Sequence, residues 1–322
     1  MSVIHITTPE QFVQVFNSSS AIGSSSDYAE IYLDNDIDFE GYLEEQSITH
    51  WRSSVDGGLT DYYKFDGQGY SIKNLVISQG DERFQFMCTN VNGYIRNLVF
   101  DSCHFTNAYT GGNWCQLLAW KCLSGNTPTD TNPCIENIIV KGNCSYTNAR
   151  GISGSNIFAI AMIDDRVNAP QKRLVNRLGI SGTYRARFVY GCHSNNYFSG
   201  INIYMNAEIH CYEGALFRPQ NNYSGMTVTN AWNRSKVEAT NYYGGITGWQ
   251  SNTQLLYCYT DMTNIGGTPT YGICPIGNNP SASNMLECLY CADYTIGDAR
   301  GVRVTREDLK DVNFLRQRGW LI

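Results

Sequence analysis

The sequence predicts an all-β fold, a parallel β-helix (a solenoid of stacked coils) with a short helix at each end. Three observations carry that expectation. A six-residue pattern of apolar, any, Asn or small or polar, apolar, any, apolar recurs along the chain. A second apolar stretch rich in Gly lies between many of its copies. The composition, with 30 Gly, 16% charged and 42% hydrophobic residues in 322, suits a long buried strip whose turns need small residues.

The opening residues Thr8-Pro9-Glu10, followed by Phe12, Val13 and Phe16, place a capping hydroxyl, a Pro at the first helical position and an apolar face in helical spacing. A capping segment is therefore expected over residues 1–30. The clearest copies of the repeat are residues 72–77, 95–100 and 135–140, which carry Asn74, Asn97 and Asn137 at the third position. Weaker copies begin at Val175, Phe198, Tyr223, Leu255 and Met285, so that successive steps are 23, 40, 40, 23, 25, 32 and 30 residues. Each unit reads as strand, turn, strand and loop, and one domain with insertions is expected over residues 31–300. Such strands bury their apolar side only when coils stack.

Two consequences of stacking follow. The Asn residues of successive copies are placed to hydrogen-bond along the axis as an amide ladder. Cys258 and Cys288 share one repeat position, which predicts a stacked pair facing the interior. The 12 Cys include one close pair, Cys288 and Cys291, without the second pair a zinc site needs, and they are expected to be buried thiols. The gapped series Glu307, Asp308, Leu309, Val312 and Leu315, stopped by Gly319, predicts a second capping helix and tail over residues 301–322.

The charge balance, 23 basic against 29 acidic residues, has no basic cluster and argues against nucleic acid. No stretch is apolar for long enough to span a membrane, and the first residues lack the pattern of a secretion signal. No cofactor is expected.

The order of a Thr-Pro-Glu-Gln-Phe helix, the segment 31–38 (Ile-Tyr-Leu-Asp-Asn-Asp-Ile-Asp) and the segment 65–75 (Phe-Asp-Gly-Gln-Gly-Tyr-Ser-Ile-Lys-Asn-Leu) resembles the start of GLUG-motif right-handed β-helix proteins. Gly-Gly-Ile-Thr-Gly at 244–248 matches the namesake repeat, and residues 305–320 are similar to the usual C-terminal end. Residues 145–235 depart from the pattern, with the Asn lost at Arg177, Gly200 and Gly225. The resemblance implies a bacterial surface adhesin or stalk domain, or a related phage tail spike, fibre or appendage.

Candidate chemistry is sparse. Asp34, Asp36 and Asp38 alternate with apolar residues and would share one face of a strand, as a cation site requires, although Phe39 stands where a calcium loop needs Gly. Asp164 and Asp165, or Glu208 and Glu213, could pair as acid and base on a polysaccharide. The aromatic surplus points to a binding surface, with Tyr197, Trp232, Tyr242, Tyr243 and Trp249 as candidates, since Tyr and Trp stack on sugars and populate interfaces. The expected function is a virion component that attaches to a host-surface glycan or protein receptor, made in the host cytoplasm and packed with other virion proteins or as a homotrimer. A surface adhesin and a polysaccharide depolymerase are the alternatives.

Overall fold

The computed structural model describes residues 2–45, 51, 60–79, 88–107, 119–123, 135–148, 158–163, 173–185, 188–192, 198–214, 216, 218–219, 226–246, 254–267, 273–274, 285–291 and 300–320. They form a parallel-stranded solenoid in which all strands belong to one sheet and every pairing between strands is parallel. None of the described helices is long and apolar enough to cross a membrane.

Strand pairing fixes the coil register. Ile4, Ile31, Phe65, Ile95, Ile135, Val175, Gly200, Val228, Leu255 and Met285 lie over one another, in steps of 27, 34, 30, 40, 40, 25, 28, 27 and 30 residues. Those from Ile31 to Leu255 are buried. Further interior rows follow at fixed offsets. Leu98, Ile138, Leu178, Ile203, Ala231, Cys258 and Cys288 make one, and Phe105, Tyr146, Tyr184, Ile209 and Val237 another. Three large tyrosines, Tyr63, Tyr146 and Tyr184, are thus core residues, so the interior takes up more of the aromatic surplus than the narrowness of a β-helix suggests.

The corner between the first two rows is held in the left-handed region at Asn97, Asn137, Arg177, Asn202, Asn230, Tyr257 and Glu287, with φ between 49° and 58°. That conformation costs about 1–2 kcal/mol for an ordinary L-residue, and Asn tolerates it best because its short amide bonds locally. The amides do form a ladder. Asn97 donates to Asp66 (2.9 Å), Asn137 to Asn97 (3.0 Å), Asn202 to Asn176 (3.1 Å) and Asn230 to Asn202 (2.7 Å). Where Arg177 takes the corner the amide ladder is interrupted, and the neighbouring Asn176 donates instead to Glu136 at 3.1 Å.

This register corrects three repeat copies. The copy assigned to Phe198 begins at Gly200, and the one assigned to Tyr223 begins at Val228, so their corner residues are Asn202 and Asn230 and the Asn is not lost there. The copy at residues 72–77 belongs to a different corner: Ile72 pairs with Phe100, which sets Asn74 over Ser102, and the Asn74 amide donates to Asp38 at 2.9 Å. Close coil contact appears at Gly93, where φ is +140° and an added Cβ would collide with the Tyr63 carbonyl.

The two ends are built differently. Helix Pro9–Phe16 starts at Thr8, whose hydroxyl accepts from the Gln11 amide. Its Phe12 and Phe16 enter the core against Phe39, Tyr63 and Phe65, with ring centroids 5.7–5.8 Å apart. Helix Val312–Gln317, capped by the Asp311 carboxylate, packs elsewhere. Leu309, Leu315 and Trp320 form a separate cluster with Tyr259, Leu289 and Cys291, so the expected C-terminal cap lies along the flank of the last coils. Arg306 and Arg318 tie it there through Asp261 and Glu287, both at 2.7 Å.

Cys258 and Cys288 do stack as interior thiols, donating to the Val228 and Leu255 carbonyls. Cys103 and Cys144 make a second interior pair, the Cys103 amide donating to Cys144 Sγ at 3.2 Å. A hydrogen bond to Cys144 together with burial pushes the Cys103 thiol far up, so it stays protonated.

Candidate functional site

The outward position two residues after the left-handed corner forms a row along the flank: Val99, Ile139, Gly179, Tyr204, Trp232, Tyr259 and Leu289. Its character changes along the axis. Val99, Ile139 and the side-chain-free Gly179 occupy the earlier coils, and three aromatic rings stack in consecutive coils near the C-terminal segment. Tyr204 and Trp232 have centroids 5.0 Å apart, and Trp232 and Tyr259 lie 6.0 Å apart and nearly parallel, at 10°. Trp320 continues the series against Tyr259 at 5.5 Å.

Arg234 crosses this row, with its guanidinium 5.1 Å from the centroid of Trp232 and 5.3 Å from that of Tyr259. Such stacking holds the cation in place, and a side-chain hydrogen bond with the Tyr259 hydroxyl adds to it. Between the row and the C-terminal segment lies a groove of about 390 Å³ that includes Tyr204, Asn230, Trp232, Arg234, Tyr259, Lys310 and Trp320 in its lining. Two N–H groups in that lining, Arg234 Nε and Trp320 Nε1, are buried without a hydrogen-bond partner. Burial pushes the Tyr259 hydroxyl up to about 12 against the opposing pull of Arg234. Burial also raises Tyr204, whose hydroxyl accepts from the Asn230 amide at 3.2 Å. The groove thus offers aromatic faces, two cationic side chains and an excess of donors.

Of the residues singled out by sequence, Trp232 lies in this groove. Tyr242 and Tyr243 lie on strand Lys236–Gly244, with side chains outside the described residues, and Tyr197 and Trp249 are outside them altogether. Tyr204, Arg234, Tyr259 and Trp320 were not anticipated. A legible signal existed for two of them, an aromatic residue two positions after each left-handed corner at Asn202, Asn230 and Tyr257.

The acidic candidates meet neighbours within the fold. Asp34 and Asp36 sit in the turn between strands Ala29–Leu33 and Ile37–Asp38, so the three Asp residues do not share a strand face. Asp34 meets His5 Nδ1 (2.8 Å) and the Gln68 amide (3.0 Å). Asp36 takes the Lys73 ammonium (2.6 Å) and the Ser71 N–H (2.8 Å), and the Lys73 bond is the chief cause that lowers its pKa. Asp38 takes the Asn74 amide and the Glu40 N–H. Carboxylates engaged in this way join coils, and no group of three or more His, Cys, Asp or Glu able to hold a metal occurs among the described residues.

Glu208 bonds His210 Nε2 at 3.1 Å, and Glu238 of the next coil bonds its Nδ1 at 2.7 Å. This trio lies on the outward side of strands Phe198–Gly214 and Lys236–Gly244 and is not part of the groove lining. Glu213 is on the first of these strands, with its side chain outside the described residues, and Asp164 and Asp165 lie outside them entirely.

No family model matches the chain, and no curated protein matches it. Among solved structures, one described as a "putative immunoglobulin A1 protease from Bacteroides ovatus" is similar, with a TM-score of 0.55 and 17% identity over 97% of this chain and 86% of that one. At that identity the likeness concerns the fold, a solenoid of parallel strands shared over nearly the full length of this chain.

Proposed function

We propose that the chain is a right-handed β-helix of the GLUG type that works as a virion attachment component, a tail spike, fibre or appendage binding a host-surface receptor. The observation that carries the binding role is the aromatic groove between Tyr204, Trp232, Tyr259 and the C-terminal segment, with its cationic and unpaired donor groups. The handedness follows the rule that parallel crossover connections are right-handed in about 98% of cases. The support for attachment over catalysis is that Asp34, Asp36 and Asp38 hold neighbouring side chains, which leaves no poised acid and base pair among these three.

The interior thiol pairs support synthesis in a reducing cytosol before release, as a virion protein undergoes. A bacterial surface adhesin or stalk domain of the GLUG type is the second reading, favoured by the Gly-Gly-Ile-Thr-Gly stretch at 244–248.

The test is binding of the purified, fluorescently labelled protein to a panel of bacterial cells. Saturable binding to a restricted set of strains, lost on Trp232→Ala, is expected. Absence of binding to every strain, or binding that Trp232→Ala leaves intact, counts against the reading. Light scattering tests the accompanying proposal that the rods assemble as a homotrimer, which a monomeric mass would refute.

A further inference from the structure

We infer that the flank groove recognises a carboxylate-bearing sugar, a uronic or sialic acid residue within a surface glycan. The inference rests on the attachment reading above and specifies its ligand class.

Three features of the groove select that chemistry. The stacked rings of Tyr204, Trp232 and Tyr259 present flat apolar surface of the kind that the C–H face of a pyranose covers. Arg234 is pinned across two of those rings, and Lys310 stands on the opposite wall in the C-terminal segment. No acidic side chain is among the residues that line the groove, so its formal charge is positive although the whole chain carries −6. A neutral sugar would leave that charge unanswered, whereas a carboxylate meets the planar guanidinium with charge-assisted hydrogen bonds.

The unpaired donors point the same way. Trp320 is 3% exposed and its Nε1 has no partner, and Arg234 Nε is also buried and unpaired. Buried N–H groups are almost always satisfied, and two in one groove mark a place where acceptors belong. Acceptors fit such a wall, and a carboxylated sugar supplies carboxylate and ring oxygens beside an apolar face. A poly-anionic polymer such as nucleic acid fits less well, since the cations here are two and the walls aromatic.

The experiment is calorimetric titration of the 322-residue chain with two acidic probes, a hyaluronan tetrasaccharide and sialyllactose, each beside its carboxyl-reduced counterpart. At least one acidic probe is expected to bind, with affinity reduced about tenfold or more by carboxyl reduction, the weight of one lost charge-assisted contact. Arg234→Gln should produce a loss of similar size, and Lys310→Gln, at an exposed position outside the core, a smaller loss with unchanged thermal melting. Equal binding of acidic and reduced probes, binding indifferent to both substitutions, or stronger binding of an acidic aromatic peptide such as Glu-Tyr-Glu would overturn the inference.

Failure of both acidic probes while the protein still attaches to cells would overturn it and leave the attachment reading standing. Probe binding without attachment to any cell would do the reverse.

Discussion

The two ends of the solenoid solve one problem in opposite ways. At the N-terminal end, Phe12 and Phe16 enter the core and pack on the rings of Phe39, Tyr63 and Phe65, so the helix completes the interior itself. At the C-terminal end, Leu309, Leu315 and Trp320 form a cluster on the outside of the last coils and leave a groove beside it. An interior plug has no surface left for a ligand. A flank cover creates a crevice with one aromatic wall and one wall that carries Lys310, and so the groove is confined to one end of the solenoid.

The largest effect expected from this contrast is on stability. Phe16→Ala removes a fully buried ring with several aromatic neighbours and should cost about 3–5 kcal/mol, whereas Leu315→Ala on the flank should cost about 2 kcal/mol. Urea denaturation of the two variants checks this, and equal losses would dissolve the distinction between plug and cover.

A middle-sized effect, in the coils between the two ends, separates corner strain from the amide ladder. Asn137→Ala loses the ladder bond and places Ala at a φ of 52°, for about 2 kcal/mol in all, while Asn137→Gly keeps the backbone at ease and should lose about 1 kcal/mol. The difference between the two variants in thermal melting isolates the backbone part.

The smallest effects are in pH. Burial alone would raise the Asp66 carboxyl, but bonds from Asn97, the Gln68 N–H and Arg96 outweigh it and hold its pKa below the usual value. A depressed carboxyl stabilises the fold above its unfolded pKa of about 3.9, and that contribution is lost as pH falls through the lower folded value. Tyr259 is the counterpart near the other end. With its pKa at about 12, its contribution is full below the unfolded value of about 10 and is lost as pH rises between the two. Amide exchange followed by mass spectrometry should therefore show acid loosening the coils around Asp66 and alkali loosening those around Tyr259. Uniform loosening at both extremes would argue against local control.

The coil architecture was legible because a buried strip needs the same apolar positions in every turn, and residues 95–100 and 135–140 display them with the corner Asn intact. Register was less legible. A frame shifted by two residues keeps the same side chains on the same face of a strand, which is why Phe198 could stand in for Gly200. The Asn at 202 and 230 stayed hidden because the pattern of apolar residues alone does not locate a corner, whereas a left-handed φ does.

The groove was hardest to see. Tyr204, Trp232 and Tyr259 are 28 and 27 residues apart, and only the coil register makes them neighbours. Trp320 and Lys310 join them through a segment that turns back on the flank, a contact that no local pattern announces.

The placement of that returning segment bears on the order in which the molecule is made. During synthesis the Phe12 and Phe16 plug emerges before the coils it packs on, and each later coil can pair with the one before it, as suits a chain whose neighbours in space are mostly neighbours in sequence. Residues 300–320 follow every strand of the flank row. The second wall of the crevice can therefore dock only after the aromatic row it faces has been laid down, and the two walls are assembled in a fixed order.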